Sequence, residues 1–549
     1  MTTGGELVVR VLQENQIDFA FGIPAVHNLP IYDALLDSKV RSISVKHEQA
    51  AGFMAMGSAY SSGKLAPCIV GAGPGATNIL TPVGEAFLDS FPLLVVAGGI
   101  RTISGGKGAL HDIDLLSMFK PITKLSSRLA DPELLGQDLS RAVKITRSGR
   151  PRPVFVEIPF DVLSGQVVMK EFSTPEIPKY PPNADALNSV LKILRESRKP
   201  AIIAGGGVNS AEAWNELAVL AESLQAIVAS TISAKGAFPE TSPLSVGQLW
   251  NEIAQKAILQ ADVVLSLGCR FSERSTTNWR LRFNGSLIQV DVDEQELGRN
   301  YPASLSIKSD VKLFINELLD AQLRRNNLTD DSWLVSLNRE KATKEMEYEK
   351  YDSLSGNPIR PQTIVREIQR SIPDDTLIVA ETGYAFWWSA QMLKVDKPRS
   401  YLGPSGNSTL GFGFPAAMGA KCAQPDRPVV CLVGDGGFMF SCQEIATAVE
   451  EEIPFVTVVF DDGGYAAIRE YQRDGFEGRF IGVDFKNQPD FVKMSESLGA
   501  EGILVTKEME ISSVIRDSVR KSKCVVINVK IGRDEVVLPS FFTQVYRKS

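Results

Sequence analysis

Short, uniformly apolar runs rich in Val and Ile recur along this chain between longer amphipathic stretches, as at Leu93 to Ala97, Ala201 to Ala204, Val263 to Leu267, Val429 to Val433 and Phe455 to Phe460. A strand that is apolar on both faces has to be covered on both, which calls for parallel sheets flanked by helices. The fold class expected is therefore α/β, built from doubly wound parallel sheets. Two stretches break the alternation: residues 170 to 186, with Pro175, Pro178, Pro181 and Pro182, and residues 324 to 358, a charged segment ending in SGNP. They divide the 549 residues into three units, 1–168, 187–325 and 358–549, a division that the length accommodates easily.

Charge and composition narrow the function classes. With 58 Lys and Arg against 65 Asp and Glu, the net charge is −7, which argues against nucleic acid as the main partner. No 18-residue uncharged apolar run occurs, and MTTGGELVVRVLQENQ has no basic segment followed by an apolar core. A soluble cytoplasmic protein without a membrane partner is expected. The six cysteines contain no CxxC pair, so they read as reduced thiols rather than a zinc site.

The most informative stretch is GDGGFMFSCQEIATAVEEEIPFVTVVFDDGGY, from Gly434 to Tyr465. Val429 to Val433 reads as a strand, Ser441 to Glu451 as a helix and Phe455 to Phe460 as the next parallel strand. Asp435 and Asp462 then fall just past two carboxyl ends of one sheet, where open α/β sheets bind ligands. Gly434, Gly436 and Gly437 allow backbone to approach a phosphate, and two carboxylates 27 positions apart can share a hard divalent cation, Mg²⁺ before zinc. Helix capping by the same aspartates is the plainer alternative. A similar order of strand, glycine turn, helix, proline and strand occurs in CIVGAGPG through FPLLVVAG, with 21 residues from Gly71 to Pro92 against 20 from Gly434 to Pro454. Either a duplication or the stereotyped geometry of βαβ units explains the likeness.

These residues resemble the thiamine diphosphate enzymes of the acetolactate synthase and pyruvate decarboxylase superfamily, whose cofactor motif runs from GDG to a pair of asparagines. Here Asp461 and Asp462 stand in place of that pair. The resemblance extends through FGIPAVHN (21 to 28), KHEQAAGFMAMGSAYSSG (46 to 63), GAGPGATNILTPVGEAFLDSFPLL (71 to 94), RPRPVFVEIPFDV (150 to 162), STISAKGAFPE (230 to 240) and ADVVLSLGCRF (261 to 271). It implies a pyrimidine-binding, a central Rossmann-like and a diphosphate-binding domain, a homodimer or homotetramer, and a 2-oxo acid substrate. It also implies Asp435, Asp462 and the Gly464 carbonyl as Mg²⁺ ligands, with Gly434, Gly436, Gly437 and Tyr465 around the diphosphate. Gly383 and Tyr384, in TGYAF, take the place of a diphosphate-contacting turn, although Ala385 replaces a histidine common in acetolactate synthases. In NSTLGFGFPAAMGA, Leu410 stands where an apolar side chain wedges between the cofactor rings, and the Ser408 carbonyl where the amino group is accepted.

Glu48 follows the apolar run Ile43 to Val45 and opens a predicted helix; alone it is a first-turn acid favoured by the helix dipole. The resemblance makes it the carboxyl that shares a proton with the aminopyrimidine ring, and so the leading catalytic residue. Among the three histidines, His111 lies in the glycine-rich GGKGALHDID, where typical acetolactate synthases have glutamine and several decarboxylases have histidine. An imidazole with a pKa of about 6.5 suits proton transfer there, whereas a solvated loop histidine is the simpler reading. His47 is expected to be structural, and His27 reads either way. GAGPGATN lacks the last spacing of GxGxxG and speaks weakly for NAD. Gly205 to Gly207, Arg270, Asp291 and Asp310 resemble a central-domain site that holds FAD or ADP in some relatives, and they also fit ordinary Rossmann-like structure.

The resulting expectation is thiamine diphosphate- and Mg²⁺-dependent, non-oxidative decarboxylation of a 2-oxo acid, with carboligation as a further outcome. His111, Leu410 in place of methionine and Tyr471 in place of tryptophan lean that way. GCRFSER and KGAFPE lean toward the alternative, an acetolactate synthase catalytic subunit condensing two 2-oxo acids. A cofactor-binding homologue without catalysis is the reading from another class, and Glu48 together with GDG weighs against it.

Overall fold

The computed structural model describes residues 2–167, 177, 180–321, 331–350 and 358–533. Pro175, Pro178, most of the SGNP turn and the domain limits drawn at 168, 325 and 549 lie outside them. Three six-stranded sheets organise the described chain. From edge to edge the first runs Arg41–Ser44, Phe19–Gly22, Pro67–Val70, Leu94–Gly99, Val154–Pro159 and Leu125–Arg128. The third runs Tyr401–Leu402, Leu377–Ala380, Val429–Gly434, Val456–Asp461, Val525–Lys530 and Glu501–Val505. Numbered along the chain within each sheet, both have the order 2-1-3-4-6-5, with every pairing parallel. The likeness first seen at one βαβ unit thus extends to two complete sheets.

The central sheet differs. Its strands, Ser245–Gln248, Ile227–Ser230, Pro200–Ala204, Val263–Leu267, Ser286–Asp291 and Leu305–Lys308, have the order 3-2-1-4-5-6 of a dinucleotide-binding fold. All three sheets are parallel and flanked by helices, as the apolar runs require, and those runs coincide with the strands to within a residue. Small shifts matter at the site: the strand expected over Phe455 to Phe460 covers Val456–Asp461, so Asp461 closes the strand and Asp462 follows it. The helix expected over Ser441 to Glu451 is confined to Glu444–Glu450, because Asp435–Phe438 already forms a separate helical turn. The charged segment at 324 to 358 is no simple linker: Asp331–Glu349 is a 19-residue helix. Most of its acids and bases are exposed, Lys341 reaches in to the Ser242 carbonyl at 3.0 Å, and Trp333 and Leu337 are buried, the indole donating to Gln260 at 2.9 Å.

The first and third domains meet through two helices, Glu48–Ser62 and Gly413–Ala423, each following the second strand of its own sheet. Gly57 lies against the Ala416 carbonyl and Gly419 against the Met54 carbonyl, so closely that a Cβ at either glycine would run into backbone. The contact is reciprocal, and matching Gly57 to Gly419 puts Glu48 in the position of Leu410. Phe53 packs edge-on to Phe412 at 5.4 Å, within one apolar core that continues into both sheets. The crossing anchors the segments that lead into both helices.

Candidate active site

In the third sheet, the first and third strands diverge to helices on opposite faces and open a crevice at their carboxyl ends. Glu381, directly after the first of them, is fully buried. Its carboxylate accepts from the amides of Thr382 at 3.1 Å and Gly413 at 2.7 Å, and a Cβ on Gly437 would meet its Cγ at 2.7 Å. One carboxylate therefore ties together the TGY turn, the GFGF segment and the GDGG turn. Burial pushes its pKa up to about 7, against the opposing pull of the amide donors.

Gly383 has φ 114° and ψ −152°, a conformation open to glycine, and it caps the helix Tyr384–Met392. A Cβ at Gly383 or at Gly434 would meet nothing within 4 Å, so both border free space at the crevice. Amides at the start of such a helix suit phosphate oxygens. The Tyr384 hydroxyl donates to Glu470 at 3.0 Å and holds the helix from its buried side. Ser408, at φ 58°, shares a 2.9 Å hydroxyl contact with Thr382, which brings the 407–410 loop onto the TGY turn. Leu410, next along, is half-buried.

Asp435 is fully buried; its Oδ1 accepts from the Gly436 amide at 2.7 Å and its Oδ2 from Gly463 at 2.7 Å, Gly464 at 3.2 Å and Gln488 Nε2 at 2.6 Å. Asp462 is buried too, and its carboxyl is pushed well above the usual range by burial first and by Asp435 second. Asp435 is raised by burial and by Asp461. Asp461 is held by Lys530 and, at 3.0 Å, by the same Gln488 Nε2 that donates to Asp435. The Tyr465 ring covers Gly436, where a Cβ would meet it at 2.6 Å, and stacks edge-on with Phe485 at 4.9 Å.

Two buried carboxylates that repel each other, next to a Gln488 Oε1 without a partner, form a donor set that a divalent cation would satisfy. Among the described residues no three His, Cys, Asp or Glu side chains form a metal cluster; this set is two carboxylates completed by backbone. Arg533 crosses over it, donating to the Asp462 carbonyl and, at 3.2 Å, to that of Gly463. Glu381, Gln488 and Arg533 escaped sequence reasoning. Glu381 carried a signal, an acid following a strand, but Gln488 and Arg533 belong to no motif and reach the site only by folding.

In the first domain Glu48 opens its helix as expected, with His47 as the cap whose Nδ1 accepts from the Gln49 amide at 3.1 Å. Glu48 accepts from Asn78 Nδ2 at 2.9 Å, and a Cβ on Gly75 would lie 3.4 Å from its Oε1. His111, at φ 67°, fills the space beside Gly73, two residues before Gly75. The loop that is remote from Glu48 in sequence therefore ends beside it. His27 meets His111 ring edge to face, centroids 5.4 Å apart, and its pKa is lowered by burial and then by His111. Within one chain this end touches the third domain through the Lys46 amide on Glu444, at 3.0 Å, and Gln49 beside Gly411. Among the described residues no hydrogen bond or ion pair joins Glu48 or His111 to Asp435 or Asp462.

The central domain contributes Arg274, which donates to Ser408 Oγ at 2.7 Å and stacks over Trp387 at 5.4 Å; its Nη1 is buried without a partner. Residues compared above with a nucleotide site have structural tasks. Gly205 and Gly207 pack on the Gly268 backbone, Asp310 caps a helix through the Leu313 amide at 3.0 Å, and Asp291 accepts from the Asp293 amide at 2.9 Å. Arg270 turns to the first domain, toward Leu88 and Asp89.

A crevice lined by glycines and carboxylates, a helix-opening glutamate on a twin sheet and a Rossmann-like domain between them define the thiamine diphosphate-binding class of α/β enzymes. Residues 2–118 match the N-terminal TPP binding domain of thiamine pyrophosphate enzymes, 187–318 their central domain and 381–529 their C-terminal TPP binding domain. The chain belongs to this thiamine pyrophosphate enzyme family. It is 33% identical to the probable acetolactate synthase large subunit of Methanocaldococcus jannaschii, over 97% of this chain and 93% of that one. It is 34% identical to the acetolactate synthase of Mycobacterium bovis (98% and 89% covered) and 30% to the acetolactate synthase large subunit of Haemophilus influenzae (98% and 96% covered). No helix among the described residues is long and apolar enough to cross a membrane, and all six cysteines are free.

Proposed function

We propose that this chain is a thiamine diphosphate- and Mg²⁺-dependent enzyme acting on 2-oxo acids, of the acetolactate synthase type, with carboligation as its main outcome. The observation that carries the choice is the similarity to acetolactate synthases, which runs through nearly the whole chain rather than through the cofactor segments alone. It reverses the preference for simple decarboxylation drawn from His111, Leu410 and Tyr471.

When bound in the crevice, thiamine diphosphate would supply a nucleophilic carbon and an electron sink for decarboxylation. Asp435, Asp462 and the Gly464 carbonyl would hold Mg²⁺, and Gly383, Tyr384, Gly434, Gly436, Gly437 and Tyr465 would line the place for the diphosphate. Leu410 would pack against the cofactor rings, and the Ser408 carbonyl would accept its amino group. Glu48, its carboxyl oriented by Asn78, would share a proton with the pyrimidine nitrogen. Arg274, with an unpartnered buried nitrogen, offers positive charge to a substrate carboxylate. In the resembling family Glu48 and the diphosphate site meet across a subunit interface, so the working unit is a homodimer or a homotetramer. FAD or ADP, the nucleotides of the resembling central domains, would bind at the central domain. The three domains are taken as 1–168, 187–325 and 358–549.

His111 beside His27 favours a second reading, in which a proton replaces the second 2-oxo acid and an aldehyde is released. Incubation with pyruvate, Mg²⁺ and thiamine diphosphate decides between them: acetolactate is expected, and acetaldehyde as the sole product would establish the second reading. Absence of CO₂ release from a panel of 2-oxo acids would leave a non-catalytic homologue.

A further inference from the structure

The loop that carries Ser408 and Leu410 is gripped from outside its own domain. Helix Leu80–Asp89 of the first domain sets Glu85 and Asp89 one turn apart, on a face directed at residues 405 to 409. Glu85, fully buried, takes the Asn407 amide on Oε1 at 3.1 Å, and on Oε2 the Thr409 amide at 3.0 Å and the Thr409 hydroxyl at 2.7 Å. Asp89 takes the Ser405 amide on Oδ2 at 2.7 Å and the Ser405 hydroxyl on Oδ1 at 2.6 Å, with Arg270 of the central domain at 3.4 Å. Gly406 lies so close to the helix that a Cβ would meet Leu88 Cβ and Asp89 Oδ1 at 2.7 Å each.

Adhesion between domains does not require this arrangement. The glycine-lined helix crossing already joins the first and third domains through apolar contact. Burying a carboxylate there is costly: desolvation and the neighbouring Asp89 push Glu85 up to about 8. What the carboxylates add is direction. The Thr409 amide shares its peptide plane with the Ser408 carbonyl, so that plane is held directly, the Asn407 amide fixes the chain one residue before Ser408, and Leu410 follows at once. Ser408 is held in turn at φ 58°, a strained value for a non-glycine residue that persists only when its surroundings impose it.

We propose that Glu85 is a positioning residue for thiamine: by holding the Asn407 and Thr409 amides it fixes the Ser408 carbonyl and the Leu410 side chain before the cofactor arrives. Asp89 holds the entry to the same loop at Ser405. The inference rests on the thiamine diphosphate reading above.

The test uses full-length protein, with Glu85→Gln and the milder Thr409→Val, which removes one hydroxyl and keeps the amide. Amide hydrogen exchange of the 404–411 segment is measured without cofactor, thiamine diphosphate affinity in Mg²⁺ buffer by calorimetry, and the thermal midpoint alongside. Glu85→Gln is expected to speed exchange at Asn407 and Thr409 and to weaken thiamine diphosphate about tenfold, the scale of one lost hydrogen bond. Thr409→Val is expected to weaken it about threefold, and the double variant no more than Glu85→Gln alone, since both act through one contact. A lowered thermal midpoint with unchanged affinity and exchange would make Glu85 a plain interdomain bond and overturn the proposal. If Glu85→Gln fails to fold, unchanged affinity in Thr409→Val overturns it. A wild-type protein that binds no thiamine diphosphate overturns the underlying reading as well, whereas binding by wild type and variants alike overturns this inference alone.

Discussion

At the scale of single residues, three carboxyl groups have separable tasks that follow from their surroundings. Just past its strand, Asp435 accepts from three backbone amides and Gln488, so Asp435→Ala is expected to keep the fold but lower the thermal midpoint, because those donors lose their acceptor. The same variant should cost at least about 10²-fold in Mg²⁺-dependent thiamine diphosphate affinity, read by calorimetry. Glu48 touches Asn78 alone among the described side chains that hydrogen-bond it. Glu48→Gln should slow proton exchange at the thiazolium carbon by about 10²-fold, while His111→Gln should leave that exchange unchanged and shift the ratio of aldehyde to ligated product; equal loss of exchange in both would refute the division. Glu381 gives a pH dependence. Its folded pKa of about 7 lies above the ordinary 4.5, so the folded protein holds the extra proton between these values and stability falls as pH rises through that window. Unfolding in denaturant at pH 5 and pH 8 should show this decline in the wild type and a smaller one in Glu381→Gln.

Among the elements, the helix crossing and the glycine turns make opposite demands on glycine. Gly57 exists for packing: a methyl group there meets the Ala416 carbonyl, which cannot move without its helix. Gly57→Ala should therefore cost about 3 kcal/mol or more in urea unfolding of the cofactor-free protein. Gly434 borders open space, so Gly434→Ala should unfold like wild type without cofactor and reveal its defect only as weaker thiamine diphosphate binding. If both variants lost equal stability, the distinction between a packing glycine and a ligand-facing glycine would be wrong. Strand positions, the Glu48 helix start and the GDG turn were legible in sequence because each depends on neighbouring residues. The helix Asp331–Glu349 was not, because its few buried side chains lie among many charged ones and its partner, Gln260, is remote.

For the whole molecule, two sheets of identical strand order are locked together and a third, differently wound, is braced against both. Apolar side chains remain exposed near the third-domain crevice, Met439 at 44%, Phe440 at 48% and Ile468 at 50%, and among the described residues no hydrogen bond or ion pair joins Glu48 to Asp435. An assembly of at least two copies is accordingly expected in sedimentation velocity, and a proven monomer with full specific activity on dilution would contradict it. The α/β class, the parallel sheets, the family and the motif residues at strand ends were all determined by the sequence alone, because apolar periodicity and short glycine motifs are local properties. Tertiary structure alone decided that Glu381 ties three segments together, that Gln488 and Arg533 enclose the aspartates, that His111 returns to His27, and that Glu85 grips a loop more than 300 residues away. Contacts of that kind join residues with no spacing to betray them; they exist once the sheets have stacked and a buried polar group must find whichever partner the packing brings within reach.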